Sequence, residues 1–283
     1  VRRLIKLVCI DLDGTLLDSK KCISERNRES IRRAVELKVH VTIFTGRSFG
    51  SAARYVRELK ISIPAVFQNG ALIIDPVDMK VYRSIELDST LARHFVESCR
   101  AHSVYPVVYE SFFSEKDMLV EGPYHGAFEE YFRLNAHRIT LVKDLIEELR
   151  KRNGVVEVAL VGNVEDVNRA IWEVSSIFHD GYTIVENQKK DGEAFVEIFG
   201  PNVGKEKALE FFLDMYGISP KEVMYIGDNL NDISIMRMVG ISVAMMNAPE
   251  EVRKIATYVT QSNDDSGVAK ALERFILQEC VRE

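Results

Sequence analysis

Two carboxylates stand where a short apolar run stops. Asp11-Leu12-Asp13-Gly14-Thr15 follows residues 4–10, which are rich in strand formers, and Gly14 marks a turn. In an open parallel sheet, ligands bind at the carboxyl ends of the strands, and acids there can serve as nucleophile, general acid or metal ligand. A lone Asp-x-Asp is equally an ordinary turn. Four other segments weigh against that. Thr45-Gly46-Arg47 follows the apolar residues 39–44 and offers a hydroxyl and backbone N–H groups to phosphate oxygens. Lys205 opens an amphipathic stretch, Lys205–Tyr216, where a cation opposes the helix dipole unless an anion sits beside it. Gly227-Asp228-Asn229-Leu230-Asn231-Asp232 follows another apolar run and gathers two acids and two amides, oxygen ligands suited to a hard cation. Gln68-Asn69-Gly70-Ala71 comes after Ala65–Phe67, and its Asn-Gly is first of all a hairpin turn.

The elements that must hold these residues follow from periodicity. Ser24 can cap a helix running to about Leu37 between strands at residues 4–10 and 39–44, which makes a β-α-β unit. The grammar returns after Lys205: a helix stopped by Gly217, a strand at 223–226, a helix at 230–239, strand Ile241–Ala244, a helix near 249–256, a strand at 258–260 and a closing helix. This alternation predicts an α/β fold, a doubly wound parallel sheet with helices on both faces. The middle reads differently. Strands are expected at 105–110, 155–161, 182–186 and 195–199, some with period-2 alternation, with a helix at 166–178. An inserted α+β domain with an antiparallel sheet accounts for them. The expected division is a core of residues 1–83 and 195–283 and an insert of 84–194.

Composition limits the function classes. The 283 residues are 46% hydrophobic and 28% charged, an ordinary balance for a globular protein with a sizeable core. With 37 basic and 43 acidic residues the net charge is −6, which gives no general attraction for nucleic acid or a membrane surface. A small anionic substrate then needs a local cationic site. Cys9, Cys22, Cys99 and Cys280 are widely spaced, with no CxxC pair, and a reducing cytoplasmic setting is expected. Lys6 and Asp11 break the first apolar run, unlike a signal-peptide core, and no run approaches the ~18 apolar residues of a membrane helix. The six histidines show no i, i+4 pair of the zinc-site kind, and there is no Gly-rich Walker loop. Tyr105, Tyr109, Phe112, Phe113 and Tyr124 in the insert, and Trp172 in its helix, are read as packing residues.

Taken together, Asp11-x-Asp13-Gly14-Thr15, Thr45, Lys205 and Gly227-Asp228-x-x-Asn231-Asp232 resemble the four motifs of the haloacid dehalogenase superfamily. The long insert between Thr45 and Lys205, with Asn69-Gly70-Ala71, resembles the Cof-type branch with a type II cap. The resemblance implies a phosphatase with Mg²⁺ held by the Asp11 carboxylate, the Asp13 backbone carbonyl and Asp228. It implies that Asp11 attacks phosphorus to form an aspartyl phosphate, while Asp13 protonates the leaving group and later activates water. Thr45, Gly46, Asn69, Lys205 and Asn231 would bind the substrate, with Lys205 also stabilising developing charge. Asp232 would orient Lys205 or a metal-bound water. The cap would set the choice of a small phosphorylated metabolite, such as a sugar phosphate or phosphorylated cofactor. One departure is Glu206, where the family often has Gly, and Lys207 is a rival cation two residues on. A phosphomutase would share this site, and a phosphoacceptor signalling domain would share its Asp, Thr and Lys. The second acid, Asp13, favours turnover over a long-lived phosphoaspartate.

Overall fold

The structure, a computed structural model, describes residues 5–277. Contacts divide it into two compact units, one formed by the described residues up to Arg83 and from Gly204 onward, the other by Ser84–Val203.

The first unit is built on a five-stranded parallel sheet. Leu7–Ile10 lies between Val223–Gly227 and His40–Ile43, and Ile241–Ala244 and Tyr258–Val259 continue the sheet beyond Val223–Gly227. Every residue of Leu7–Ile10 is buried, as a strand covered on both faces requires. Leu7 and Cys9 pack with Ala208, Leu209 and Phe212 of helix Lys205–Tyr216 and with Val223 and Tyr225. Helix Glu25–Glu36 packs on strand His40–Ile43 and on the closing helix Gly267–Leu272. Its N-cap is Ser24, whose side chain accepts from the Asn27 amide. Gly217 ends Lys205–Tyr216 at φ +62°, a left-handed C-cap that favours glycine. The helix expected at 230–239 is broken into a 3₁₀ turn at Leu230–Asp232 and a helix at Ile233–Met238. Side-chain caps help hold that turn: Asn229 Oδ1 accepts from the Leu230 amide, and Asp232 Oδ2 from the Asn229 amide. The 280 position lies outside the described residues.

The second unit carries a six-stranded sheet in which Glu157–Asn163 runs antiparallel to both Glu193–Phe199 and Tyr105–Tyr109. Helices Ser89–Ala101 and Val164–Ser175 pack on it, with Phe95, Val96, Val167 and Ala170 in the core alongside Val158, Leu160 and Val196. The unit runs to Val203 rather than ending at 194, because Phe195–Phe199 belongs to the strand that pairs with both Glu157–Asn163 and Thr183–Lys190. Trp172 is not core: it is 73% exposed on the outer side of its helix, and Phe113 is also exposed. Tyr109, Phe112 and Tyr124 are buried. Glu157 is buried at 3% exposure, its Oε2 has no hydrogen-bond partner among the described residues, and burial with the nearby Glu197 pushes its carboxyl well above the usual range. Among the described residues no helix is long and apolar enough to cross a membrane.

Candidate active site

Because neighbouring strands of the first sheet are parallel, their carboxyl ends open on one edge, and the sequence places a polar loop after each. The Asp11 amide bonds to Ile226 O, the Phe44 amide to Ile10 O and the Met245 amide to Gly227 O, so these loops leave the sheet in register. Asp11, Thr45 and Asp228 thus sit at the ends of three adjacent strands.

Lys205 joins them from the first turn of its helix. It is 1% exposed, and its Nζ lies 2.6 Å from both Asp11 Oδ1 and Asp232 Oδ1. A buried lysine is tolerated only when paired, and here two carboxylates raise its pKa against the effect of burial. Lys207, the other candidate cation, is instead an exposed partner of Glu210. Asp232 is fully buried and fully spent: Oδ1 also accepts from the Tyr225 hydroxyl at 2.5 Å, and Oδ2 accepts from the amides of Asp228 and Asn229.

Asp11 and Asp228 are placed otherwise. Asp11 Oδ1 meets Lys205 and Asp228 Oδ1 accepts from Thr15 Oγ1 at 2.8 Å, while the second oxygen of each accepts no hydrogen bond among the described residues. Burial, opposed by Lys205 and aided by Asp232 and Asp13, pushes the Asp11 carboxyl up to about 7. Burial and the neighbouring Asp11 raise Asp228 well above the carboxylate range. Carboxyl oxygens of Asp11, Asp228 and Asp232 lie within 4.8 Å of one another, the one such group among the described residues that could hold a metal ion. Two carboxyls forced up by burial, with oxygens left over, fit a hard divalent cation. Gly14 leaves them room: at φ +70° a Cβ there would stand 2.1 Å from Asp228 Oδ2.

Asp13 faces a different environment. Arg47 grips it with Nε at 2.5 Å and Nη2 at 2.6 Å, and Lys21 Nζ stands at 2.7 Å. Burial alone would raise this carboxyl, but the two cations hold it below its ordinary value. Thr45 is buried, with its hydroxyl oxygen accepting from the Arg47 amide. Asn69 sits on a short turn between antiparallel strands Ala65–Phe67 and Leu72–Ile74, so the hairpin reading of Asn-Gly is correct as local structure. The same turn also reaches the site: Asn69 Oδ1 accepts from Asn231 Nδ2 at 2.9 Å, and a Cβ on Gly46 would crowd the Asn69 amide at 3.3 Å. Gln68 and Asn69 both adopt left-handed backbone, at φ +46° and +54°, a strain of the kind stored at functional sites.

The structure therefore brings Asp11, Asp13, Thr45, Gly46, Asn69, Lys205, Asp228, Asn231 and Asp232 to one sheet edge. Sequence reasoning passed over four residues, Arg47, Lys21, Thr15 and Tyr225. Arg47 and Thr15 were visible inside the quoted motifs as a charge and a hydroxyl next to acids, but nothing in the chain signalled that Tyr225, on a buried strand, would point its hydroxyl at Asp232.

Known proteins resemble this chain along most of its length. The family model for haloacid dehalogenase-like hydrolases matches residues 8–272. The 5-amino-6-(5-phospho-D-ribitylamino)uracil phosphatase YwtE of Bacillus subtilis (strain 168) is 28% identical over 290 residues, covering 96% of this chain and 98% of its own. The putative phosphatase YxeH of the same organism is 28% identical over 293 residues, covering 96% and 98%. A haloacid dehalogenase-like hydrolase from Bacteroides thetaiotaomicron has a crystal structure that matches with a TM-score of 0.77 at 27% identity, over 95% of this chain and 99% of that one. A sugar phosphatase of subclass IIB, 23% identical with a TM-score of 0.77, shares the fold. With its motifs, its fold and its relatives in agreement, the chain belongs to the haloacid dehalogenase-like hydrolases, in their Cof-type branch, and is a phosphatase.

Proposed function

We propose that the protein hydrolyses a small phosphorylated metabolite through an aspartyl phosphate on Asp11, with Mg²⁺ as cofactor. The observation that carries this reading is the unequal use of the three clustered acids. Asp232 is consumed by Lys205, Tyr225 and two backbone amides, whereas among the described residues Asp11 and Asp228 each keep an oxygen free of hydrogen bonds. The carboxylates of Asp11 and Asp228, with the Asp13 carbonyl, would hold the ion, which would neutralise charge between the carboxylate and the phosphate.

The residues then divide the work. The free oxygen of Asp11 attacks phosphorus, the bond to the ester oxygen breaks, and Asp13 gives that oxygen its proton. Water next attacks the aspartyl phosphate, Asp13 takes the proton from it, and inorganic phosphate leaves with Asp11 restored. Lys205, Thr45 and the Gly46 amide hold phosphoryl oxygens, Asn231 and Asn69 fix the position of the phosphoryl group, and Asp232 holds Lys205 in place. In the free protein Asp13 is clamped as a carboxylate by Arg47 and Lys21. An incoming phosphate dianion competes for both cations, and releasing them lets Asp13 carry a proton. The two relatives named for a phosphorylated ribitylaminouracil and for sugars support a metabolite-sized substrate. Free thiols at Cys9, Cys22 and Cys99 are compatible with the cytoplasmic setting we assign.

The test is phosphate release across a metabolite panel, with and without Mg²⁺, on the wild type and on Asp11→Asn. Release that needs Mg²⁺ and is lost in a folded Asp11→Asn is the expected result. Full activity in the variant would sink the assignment.

A further inference from the structure

Two more strands end on the edge that carries the acids, and each hands an asparagine to the segment behind Asp13. The Met245 amide bonds to Gly227 O and the Thr260 amide to Ala244 O, so the loops after Ile241–Ala244 and Tyr258–Val259 leave the sheet in step with the loop of Asp228. Asn247 stands in the first of these loops and Asn263 in the second. Asn247 Nδ2 donates to Gly14 O at 2.8 Å, and Asn263 Nδ2 donates to Leu17 O at 2.9 Å. We infer that Asn247 and Asn263 are positioning residues of the phosphatase site, which clasp the segment after Asp13 and thereby set how firmly Mg²⁺ is held and how fast the reaction runs. The inference rests on the Mg²⁺-dependent reading proposed above.

The direction of both side-chain amides is fixed by their partners. Asn247 Oδ1 accepts from the Asn263 backbone amide at 3.1 Å, which only an oxygen can do, so Nδ2 is the atom that meets Gly14 O. Asn263 faces a carbonyl, which demands its NH₂ group. The two loops thus act as one unit, bonded to each other and, across 233 and 246 positions of chain, to the same short segment.

What they hold is the least constrained backbone in the site. Gly14 lies at φ +70°, and a glycine moves between backbone regions at little cost. On one side of its Cα is the Asp13 carbonyl, assigned above to the ion, and on the other is Gly14 O, held by Asn247. Thr15, whose hydroxyl bonds to Asp228, follows directly. Pinning Gly14 O removes a rotation that would misalign the Asp13 carbonyl and the Thr15 hydroxyl, and partners that orient ligands in this way tune metal affinity. Leu17 is the second anchor: it bridges to Asp13 and to Ile23, and Asn263 holds its carbonyl. The Ser19 amide adds a third tie, to Asp264 Oδ1 at 2.7 Å in the loop of Asn263. Asn247 is exposed and Asn263 half-buried, so water replaces both bonds at little cost in folding, and their effect falls on geometry more than on stability.

Hydrogen exchange of the full-length, metal-free protein reads the clasp without metal or turnover. In Asn247→Ala and in Asn263→Ala the Leu16 and Leu17 amides, which bond to Leu12 O, should exchange about three- to tenfold faster, with Tm little changed. Mg²⁺ titrations followed by thermal shift should give a midpoint about tenfold to a hundredfold higher in Asn247→Ala. At saturating Mg²⁺, phosphate release should show a lower kcat with KM little changed in both variants. The double variant should lose less than the product of the single losses, because the two residues are bonded to each other. If an alanine variant misfolds, Asn247→Asp keeps the volume and the acceptor for the Asn263 amide but loses the donor to Gly14 O, and the same two amides should still exchange faster. Wild-type exchange at these amides, or faster exchange with an unchanged Mg²⁺ midpoint and kcat, would overturn the inference. A wild type whose phosphate release needs no Mg²⁺ would defeat the reading on which the inference rests, a result distinct from variants that match a Mg²⁺-dependent wild type.

Discussion

Replacing Lys205 by methionine keeps most of the side-chain volume and removes one charge from the middle of the site. In the wild type the ammonium stands 2.6 Å from Asp11 Oδ1 and from Asp232 Oδ1, with all three residues buried. Without it, two carboxylates face each other with no cation between them. Breaking a buried pair from one side costs about 3–5 kcal/mol, since the partner charge stays desolvated. At about 2–4 °C per kcal/mol for a protein of this class, the melting temperature of the metal-free variant should fall by roughly 6–20 °C. Added Mg²⁺ supplies positive charge at the same carboxyls, so the Mg²⁺-induced rise in Tm should be larger in Lys205→Met than in the wild type. Activity measured as phosphate release should drop by about a hundred- to a thousandfold, the usual cost of removing one group that stabilises transition-state charge. Lys207→Met is the control, because that side chain is exposed and pairs only with Glu210 on its own helix; it should leave both Tm and rate essentially unchanged. A Lys205→Met protein with wild-type Tm and a rate within a few fold of normal would refute the reasoning, as would damage confined to Lys207→Met.

Other outcomes follow from the same geometry. Asp11 and Asp228 have folded-state pKa values raised by burial, Asp11 to about 7. A raised acid favours the folded state at low pH, so the stability of metal-free protein should decline as pH climbs from about 4 toward about 7. The stabilisation added by Mg²⁺ should grow over the same interval, since the ion binds the ionised carboxyls. Differential scanning fluorimetry with EDTA or Mg²⁺ reads both slopes, and parallel curves would contradict them. Thr15→Val removes the hydroxyl that bonds to Asp228 and should weaken Mg²⁺ by about tenfold to a hundredfold, seen as a shifted Mg²⁺ activation curve with little change in Tm. Glu157→Gln should flatten the pH dependence of stability in the second unit. The wild-type carboxyl is raised well above its usual value by burial, so its contribution is present at low pH and lost as pH rises through that higher value. Equal Tm-versus-pH curves for wild type and Glu157→Gln would count against this.

Much of the first unit was legible because its signals are local. Ser24 and Gly217 mark helix ends through side-chain capping and left-handed backbone, and fully apolar runs such as Leu7–Ile10 mark strands covered on both faces. The division at Arg83 was readable from the change in strand pattern. The end of the insert was not, because whether Phe195–Phe199 joins the parallel or the antiparallel sheet depends on which distant strand it pairs with. Trp172 misled for a related reason, since an aromatic within a helical pattern does not reveal which way that helix turns. In the site, acids and the lysine could be ranked by type and spacing. The clamp of Arg47 and Lys21 on Asp13 could not, as it depends on side chains from separate loops converging on one carboxylate.

The pairing of Leu7–Ile10 with Val223–Gly227 also has a bearing on how the chain is made. His40–Ile43 emerges soon after Leu7–Ile10 and can cover one side of it, but the other side meets its partner only once residue 227 has been synthesised. At about 5–20 residues per second the wait is roughly 10–40 s, during which an apolar strand next to the nucleophile presents a bare edge. Ser84–Val203, by contrast, is continuous in sequence and can complete its own sheet within that interval. The order of translation thus builds the insert first and the catalytic sheet last, which makes the nascent first third of the chain the segment most in need of chaperone protection.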